Sequence, residues 1–267
     1  MNRLAGKAII VTGSSTGIGK AIALRCLQEG GSVLIHGLEQ ELTQETYREF
    51  CDLFSSHNVS MLVQDLATPD CADKILQHAL SAFGKLDCVV NNAAFVAASN
   101  LQSTDAAFFL KMLSINSLAP FLLIKAALSH LSQTKGCVLN IGSVNAYCGE
   151  PNLLAYSISK GALMTMSRNL GDTLFRENGV RVNQINPGWV LTENETKRKE
   201  EHGLPPNWFQ DLPKVYAPSG RIIKPAEIAA AAAYWLSDEC GPISGQVVDL
   251  EQHPFIGRNP PKDKSTI

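Results

Sequence analysis

Short apolar runs alternate with longer amphipathic segments along most of the chain. The runs cover residues 8–11, 33–35, 60–63, 86–90, 138–141, 180–185 and 246–249. Most are continuously apolar rather than alternating, as expected of strands buried on both faces. Between the first six lie segments 17–29, 39–57, 69–83, 104–132 and 154–177, which have helix length and helix-like patterning. Strand–helix alternation of this kind predicts right-handed crossovers and a mostly parallel, seven-stranded sheet covered by helices on both faces, a doubly wound α/β fold. No Pro/Gly/Ser-rich linker divides the pattern, so residues 1–253 read as one domain.

Two stretches break the rhythm. Residues 192–221 are polar, punctuated by prolines, and carry the adjacent aromatics Trp208 and Phe209. They stand where the next crossover is due and read as an irregular lid or binding loop. Residues 254–267, with Pro260-Pro261, read as an extended tail.

Composition narrows the classes of function. Of 267 residues 45% are apolar, enough for a sizeable core, and only 18% are charged, which suggests a much-buried chain with a subunit interface. The net charge of −2 and the lack of like-charge runs argue against nucleic-acid binding. Lys197-Arg198-Lys199 is flanked by Glu195, Glu200 and Glu201 and reads as a solvated face. The seven cysteines form no C-x-x-C and no metal-like pairing with histidine, so no metal is expected. Their odd number, with no signal-peptide pattern, leads to the expectation of a reducing, cytoplasmic setting. The apolar stretch 228–236 is too short to span a bilayer, and no membrane partner is expected.

Candidate chemistry begins after the first strand, at Thr12-Gly13-Ser14-Ser15-Thr16-Gly17-Ile18-Gly19. Strand, glycine-rich turn and helix follow in the order a dinucleotide site needs. The glycines let backbone approach a pyrophosphate, and the helix N-terminus offers free N–H groups and partial positive charge. A second group lies further on. Tyr156 and Lys160 are one helical turn apart on one face, and Ser143 ends the fifth apolar run. Phenol, ammonium and hydroxyl together form an acid/base device for a carbonyl or an alcohol, although Tyr-x-x-x-Lys alone is a weak signal.

The G-x-x-x-G-I-G spacing, Asn91-Asn92-Ala93-Ala94 after the fourth strand, Ser143, Tyr156-x-x-x-Lys160 and Pro187-Gly188 after the sixth occur in one order. In this conjunction, covering residues 5–250, the chain resembles the short-chain dehydrogenase/reductase family. The resemblance implies a Rossmann-type fold and hydride transfer between a nicotinamide cofactor and a secondary alcohol or ketone. It makes Tyr156 the general acid/base, with a phenol pKa lowered by Lys160 and the cationic nicotinamide. Lys160 would also hold ribose hydroxyls, Ser143 would stabilise the substrate oxygen, and Asn116 would support a water-linked proton path.

The same resemblance implies a cofactor site of Gly13, Ser15, Thr16, Gly17, Ile18 and Gly19, with Asp65 and Leu66 at the adenine. Asn91, Asn92 and Ala93 would line the adenosine side and brace the central strands. Pro187, Gly188, Val190 and Thr192 would follow the nicotinamide and phosphates. Two departures stand out: Ala94 replaces the commoner glycine, and Asp249-Leu250-Glu251 replaces Asp-Gly-Gly, so the last turn is expected to take another path.

Cofactor choice rests on the end of the second strand, His36-Gly37-Leu38-Glu39. No Lys or Arg lies between Arg25 and Arg48, and only His36 could compensate a 2′-phosphate, which favours NAD over NADP. The polar lid favours a sugar, polyol or small hydroxy acid, with Lys197, Arg198, His202 and His253 as candidate contacts. Apolar residues on 104–132 and 154–177, including Phe108, Phe109, Leu110, Met164 and Met166, together with the family habit, suggest a homo-oligomer, a dimer or tetramer. Two other functions fit the same motifs: an epimerase or dehydratase with bound NAD, and a sensor of NAD(H) on a retained fold.

Overall fold

Seven strands form one parallel sheet in the order β3-β2-β1-β4-β5-β6-β7. They are β1 (Ala8–Val11), β2 (Ser32–Gly37), β3 (Val59–Val63), β4 (Cys88–Asn91), β5 (Cys137–Ile141), β6 (Arg181–Pro187) and β7 (Val247–Leu250). The computed structural model describes residues 2–147, 149–201 and 203–256. The expectations placed on His202 and on tail residues 257–267 lie outside the described residues, as does Cys148. The order reverses between β1 and β4, so a crevice opens there at the carboxyl ends of the strands.

Two apolar layers hold the helices on. On one face Ile9, Val11, Val33 and Ile35 pack with Ile22 and Cys26 of α1 (Gly17–Gln28), Phe50 of α2 (Gln40–Leu53), and Ala229, Ala232 and Leu236 of α8 (Pro225–Leu236). On the other, Ile10, Leu34, Val89 and Val138 meet Ile75 of α3 (Cys71–Phe83), Leu123 and Leu131 of α5 (Ala119–Thr134), and Met166 and Leu170 of α6 (Leu154–Asn178). Each such aliphatic or aromatic side chain contributes about 1.5–3 kcal/mol when fully buried.

The helices differ from the sequence pattern in three places. Segment 104–132 is α4 (Ala106–Leu113), a π turn (Ser114–Leu118) and α5, a continuous helix with a bulge at Asn116. By length and composition Ala106–Thr134 could cross a membrane, yet here Leu123, Ala127 and Leu131 are buried against the sheet. Stretch 192–221 is not wholly irregular. It opens with α7 (Glu193–Glu201), where Glu193 and Glu195 in the first turn suit the helix dipole, while the last turn mixes Arg198 and Lys199 with Glu200 and Glu201. The apolar run 228–236 belongs to α8, the last crossover helix, which starts at Pro225 and is capped by Glu227 Oε2 accepting from Lys224 N at 2.8 Å. Leu110, Leu118, Phe121 and Ile158 remain exposed on α4, the π turn, α5 and α6, whereas Met166 turns into the core.

Close backbone approach sets the tightest packing. A Cβ on Gly171 of α6 would stand 2.3 Å from Gly245 Cα and 2.8 Å from the Val182 carbonyl. Gly171→Ala is therefore expected to cost about 1–3 kcal/mol in denaturant unfolding, or more. At Gly84, which caps α3 with φ +73° and has no atom within 4 Å of its would-be Cβ, alanine meets only backbone strain. It should cost about 1–2 kcal/mol.

Candidate active site

The crevice at the β1–β4 reversal is built by side chains that satisfy backbone at the strand ends. Thr12 Oγ1 accepts from Asn92 N at 3.0 Å and from Ala93 N at 3.1 Å. Asn92 Nδ2 donates to the Thr12 and Gly13 carbonyls, both at 2.9 Å. These bonds press the β4 loop onto the phosphate loop so closely that a Cβ on Gly13 would lie 2.7 Å from Ala93 Cα. A Cβ on Gly19 would lie 2.1 Å from the Gly13 carbonyl, so α1 begins hard against the loop. Thr16 precedes α1 without a side-chain cap, which leaves the first-turn amides of Gly17, Ile18 and Gly19 directed out of the helix end. Ser15 is held from behind, its carbonyl accepting from Thr46 Oγ1 at 2.8 Å. The cradle fits an anionic diphosphate.

His36 ends up in a different role from the one its position suggested. It is 2% exposed, and its Nδ1 accepts from Gly13 N at 3.2 Å. Burial pushes its pKa down to about 4, so it is a neutral brace for the phosphate loop and brings no charge to a 2′-phosphate. Gly37 is similarly enclosed, with Thr43 Oγ1 2.1 Å from a would-be Cβ. Leu38 and Glu39 are exposed beside it. Asp65 is exposed after β3, one carboxylate oxygen accepting from Ala67 N at 2.8 Å, while Leu66 packs against the core. Asn91 is 3% exposed and spends its amide on Asn140 Oδ1 at 2.8 Å, so its side chain serves strand bracing.

The acid/base group comes together on α6 and the β5 loop. Lys160 is 2% exposed and donates from Nζ to the Ile141 carbonyl at 2.8 Å. Its Nζ lies 5.7 Å from the centre of the half-buried Tyr156 ring. Ser143 Oγ accepts from Asn145 N at 3.1 Å, leaving its proton for another acceptor. Burial pushes the Tyr156 phenol up to about 12, with the neighbouring Ser143 hydroxyl and then Arg198 pulling the other way. Lys160, expected to lower the phenol, takes no part in that balance. Burial likewise pushes Lys160 down to about 8. Asn116, in the π turn, accepts from Phe95 N at 2.7 Å and donates to the Phe95 carbonyl and to Ser159 Oγ, both at 2.9 Å. Its side chain is fully engaged in tying the bulge to α6 and to the β4 loop.

The segment after β6 closes the crevice. Gly188 lies under Glu251, whose Oε2 also accepts from Trp189 N at 2.9 Å, so the unusual last turn folds back over the segment. Val190 is buried and bridges Ile223. Thr192 Cγ2 stands 3.4 Å from a would-be Cβ on Gly17, beside the phosphate loop, and Thr192 Oγ1 accepts from Glu195 N to cap α7. Trp189 Nε1 donates to Glu195 Oε1 at 2.9 Å, and its ring stacks on Trp208 at 5.3 Å. Arg198 pairs with Glu195, so only part of the Lys197–Lys199 cluster is a free solvated face. His253 is half-buried, with Nδ1 3.3 Å from the Pro254 carbonyl. The braces His36, Asn186, Asp249 and Glu251 carry no local motif: the sequence marked His36 only for a 2′-phosphate and Asp249 and Glu251 only as a departure, and it did not mark Asn186.

A family model described as enoyl-(acyl carrier protein) reductase matches residues 13–251. The chain belongs to the short-chain dehydrogenase/reductase family. It is 34% identical over 247 residues to L-fucose dehydrogenase of Mus musculus, covering 89% of this chain and 85% of the relative. It is also 34% identical over 251 residues to glucose 1-dehydrogenase 2 of Bacillus subtilis, covering 93% and 94%. Among solved structures, L-sorbose reductase from Gluconobacter frateurii, complexed with NADPH and L-sorbose, superposes with a TM-score of 0.90 at 24% identity. The alignment spans 97% of this chain and 100% of that one. The family is one of oxidoreductases, and the Rossmann-type fold expected from the motifs is the fold observed.

The raised phenol gives a pH test. A Tyr pKa of about 12 in the fold, against about 10 in the unfolded chain, makes folding favour the neutral phenol. Its contribution is fully present below about pH 10 and is lost as pH rises toward about 12. The difference absorbance between wild type and Tyr156→Phe should show no phenolate from Tyr156 below about pH 10 in the ligand-free protein. A phenolate at neutral pH would contradict the burial argument.

Proposed function

We propose that this protein is a nicotinamide-dependent dehydrogenase/reductase that interconverts a secondary hydroxyl and a ketone on a small polar substrate, a sugar or polyol. The observation that carries this reading is the Tyr156 phenol beside the Ser143 hydroxyl and one helical turn from buried Lys160, all in the crevice that holds the phosphate loop. A bound nicotinamide supplies the hydride acceptor or donor. The α1 first-turn amides and Thr192 would hold its diphosphate, Asp65 the adenine side, the Val190 backbone the carboxamide, and Lys160 the ribose hydroxyls. Tyr156 takes the proton from the substrate hydroxyl in oxidation and returns it in reduction. The cationic Lys160 ammonium favours the phenolate at that moment, against the burial that holds the resting phenol neutral. Ser143, its lone pair engaged by Asn145 N, directs its proton to the substrate oxygen and stabilises the developing charge. Asn116 holds the π turn through which a water-linked path would lead from Lys160 to solvent.

NAD is the proposed cofactor. His36 is buried and neutral, Gly37 has no room for a side chain, and exposed Leu38 brings no charge. The free carboxylate of Glu39 suits a ribose diol and repels a 2′-phosphate. The sugar class is supported by the L-fucose and glucose dehydrogenases among the relatives. It is further supported by the lid, where α7 carries acids and bases beside the Trp189–Trp208 stack. A cytoplasmic setting is part of the same proposal, supported by the free thiols of Cys88 and Cys137 standing 3.5 Å apart without a bond.

A panel of aldoses, ketoses and polyols assayed with both cofactors should contain a better substrate than any steroid or fatty alcohol. Its kcat/KM with NAD should exceed that with NADP by about tenfold, or about 1.4 kcal/mol. A preference for NADP of that size rejects the cofactor assignment, and a lipid alcohol as best substrate rejects the sugar class. Tyr156→Phe should keep cofactor binding and lower kcat by about 100-fold or more.

A further inference from the structure

A head-to-tail chain of buried side-chain hydrogen bonds crosses the sheet from β4 to β7. Asn91 Nδ2 donates to Asn140 Oδ1 at 2.8 Å and Asn140 Nδ2 to Ser167 Oγ at 2.7 Å, and the Ser167 hydroxyl proton lies between Gln184 Oε1 at 2.7 Å and the Leu163 carbonyl at 2.8 Å. Gln184 Nε2 then donates to Asn186 Oδ1 at 2.7 Å, and Asn186 Nδ2 to Asp249 Oδ1 at 3.0 Å. Asn140, Ser167, Gln184 and Asn186 are all fully buried. The chain ends on Asp249, the register partner of Asn186 across β6 and β7.

We propose that Asp249 is a positioning residue for Ser143, acting through Asn186. An ionised carboxylate only accepts, so Asn186 must turn its NH2 toward Asp249 and its carbonyl the other way. That carbonyl accepts the Ser143 N–H at 3.2 Å. The same Asp249 oxygen accepts from Tyr147 OH at 3.0 Å, so one carboxylate grips both ends of the Ser143–Tyr147 turn. The fit leaves no slack: a Cβ on Gly142 would lie 2.1 Å from Asn186 Oδ1 and 2.3 Å from Gln184 Nε2. An amide at position 249 would lose this directionality. It could offer its NH2 to Asn186, let that side chain invert, and set two donors, Asn186 Nδ2 and Ser143 N, against each other. The proposal rests on the reading of Ser143 as the donor to the substrate oxygen.

The test is Asp249→Asn, which keeps the shape and removes the acceptor-only end. Amide hydrogen exchange across residues 143–147 should become about tenfold faster while that of β1 and α1 stays unchanged. On the best sugar of the panel, kcat should fall about tenfold or more with cofactor KM unchanged, and Asp249→Asn should cost little further in a Ser143→Ala background. Unchanged exchange at Ser143, or an equal loss of kcat with and without Ser143, would overturn the proposal. If Asp249→Asn does not fold, Asn186→Ala carries the same expectations at Ser143. If wild type turns over no sugar, that failure belongs to the proposed function, and the exchange measurement decides this one.

Discussion

Polar side chains that enter the interior of this sheet must find partners there, since an unpaired buried donor or acceptor costs about 1–3 kcal/mol. The crevice is arranged by that requirement. Thr12 and Asn92 satisfy the ends of β1 and β4, Lys160 satisfies the Ile141 carbonyl at the end of β5, and Asn186 and Asp249 satisfy each other across β6 and β7. Each pairing also fixes a loop that faces the crevice. The groups that would meet ligand are therefore oriented by bonds already made within the protein, which is the condition for preorganised chemistry.

Strands β1 to β7 were legible because parallel strands, covered on both faces, are written as continuous apolar runs. The phosphate loop and the Tyr156–Lys160 pair were legible because their partners are close in sequence and their order is constrained. The π turn left no compositional mark, since residues 114–118 fit an α-helix equally well. Helix α7 has no apolar face, and only the placement of its charges and the Thr192 cap distinguish it from a polar loop. The braces were hidden for a different reason. Asp249 lies 63 residues from Asn186 and 102 from Tyr147, and no local pattern joins residues that only the sheet order brings together. The state of His36 was not legible either, because its burial depends on the packing of the phosphate loop over β2.

Burial acts on the reactive pair in two directions. It raises the Tyr156 phenol and lowers the Lys160 ammonium, so the resting site resists both of the charges its proposed chemistry uses. Neither shift stabilises a catalytic form. Below about pH 10 the phenol is neutral folded or unfolded, so only the buried ammonium carries an electrostatic cost, which packing in the two apolar layers must offset.

Trp189 joins two parts of the crevice wall. Its backbone N–H is held by Glu251 of the turn after β7, while its ring nitrogen is held by Glu195 of α7. Val190 and Thr192, between them, face the crevice and the phosphate loop. Whatever fixes residues 188–192 thus fixes α7 as well. A single residue thereby makes the helix and the last turn one mechanical unit.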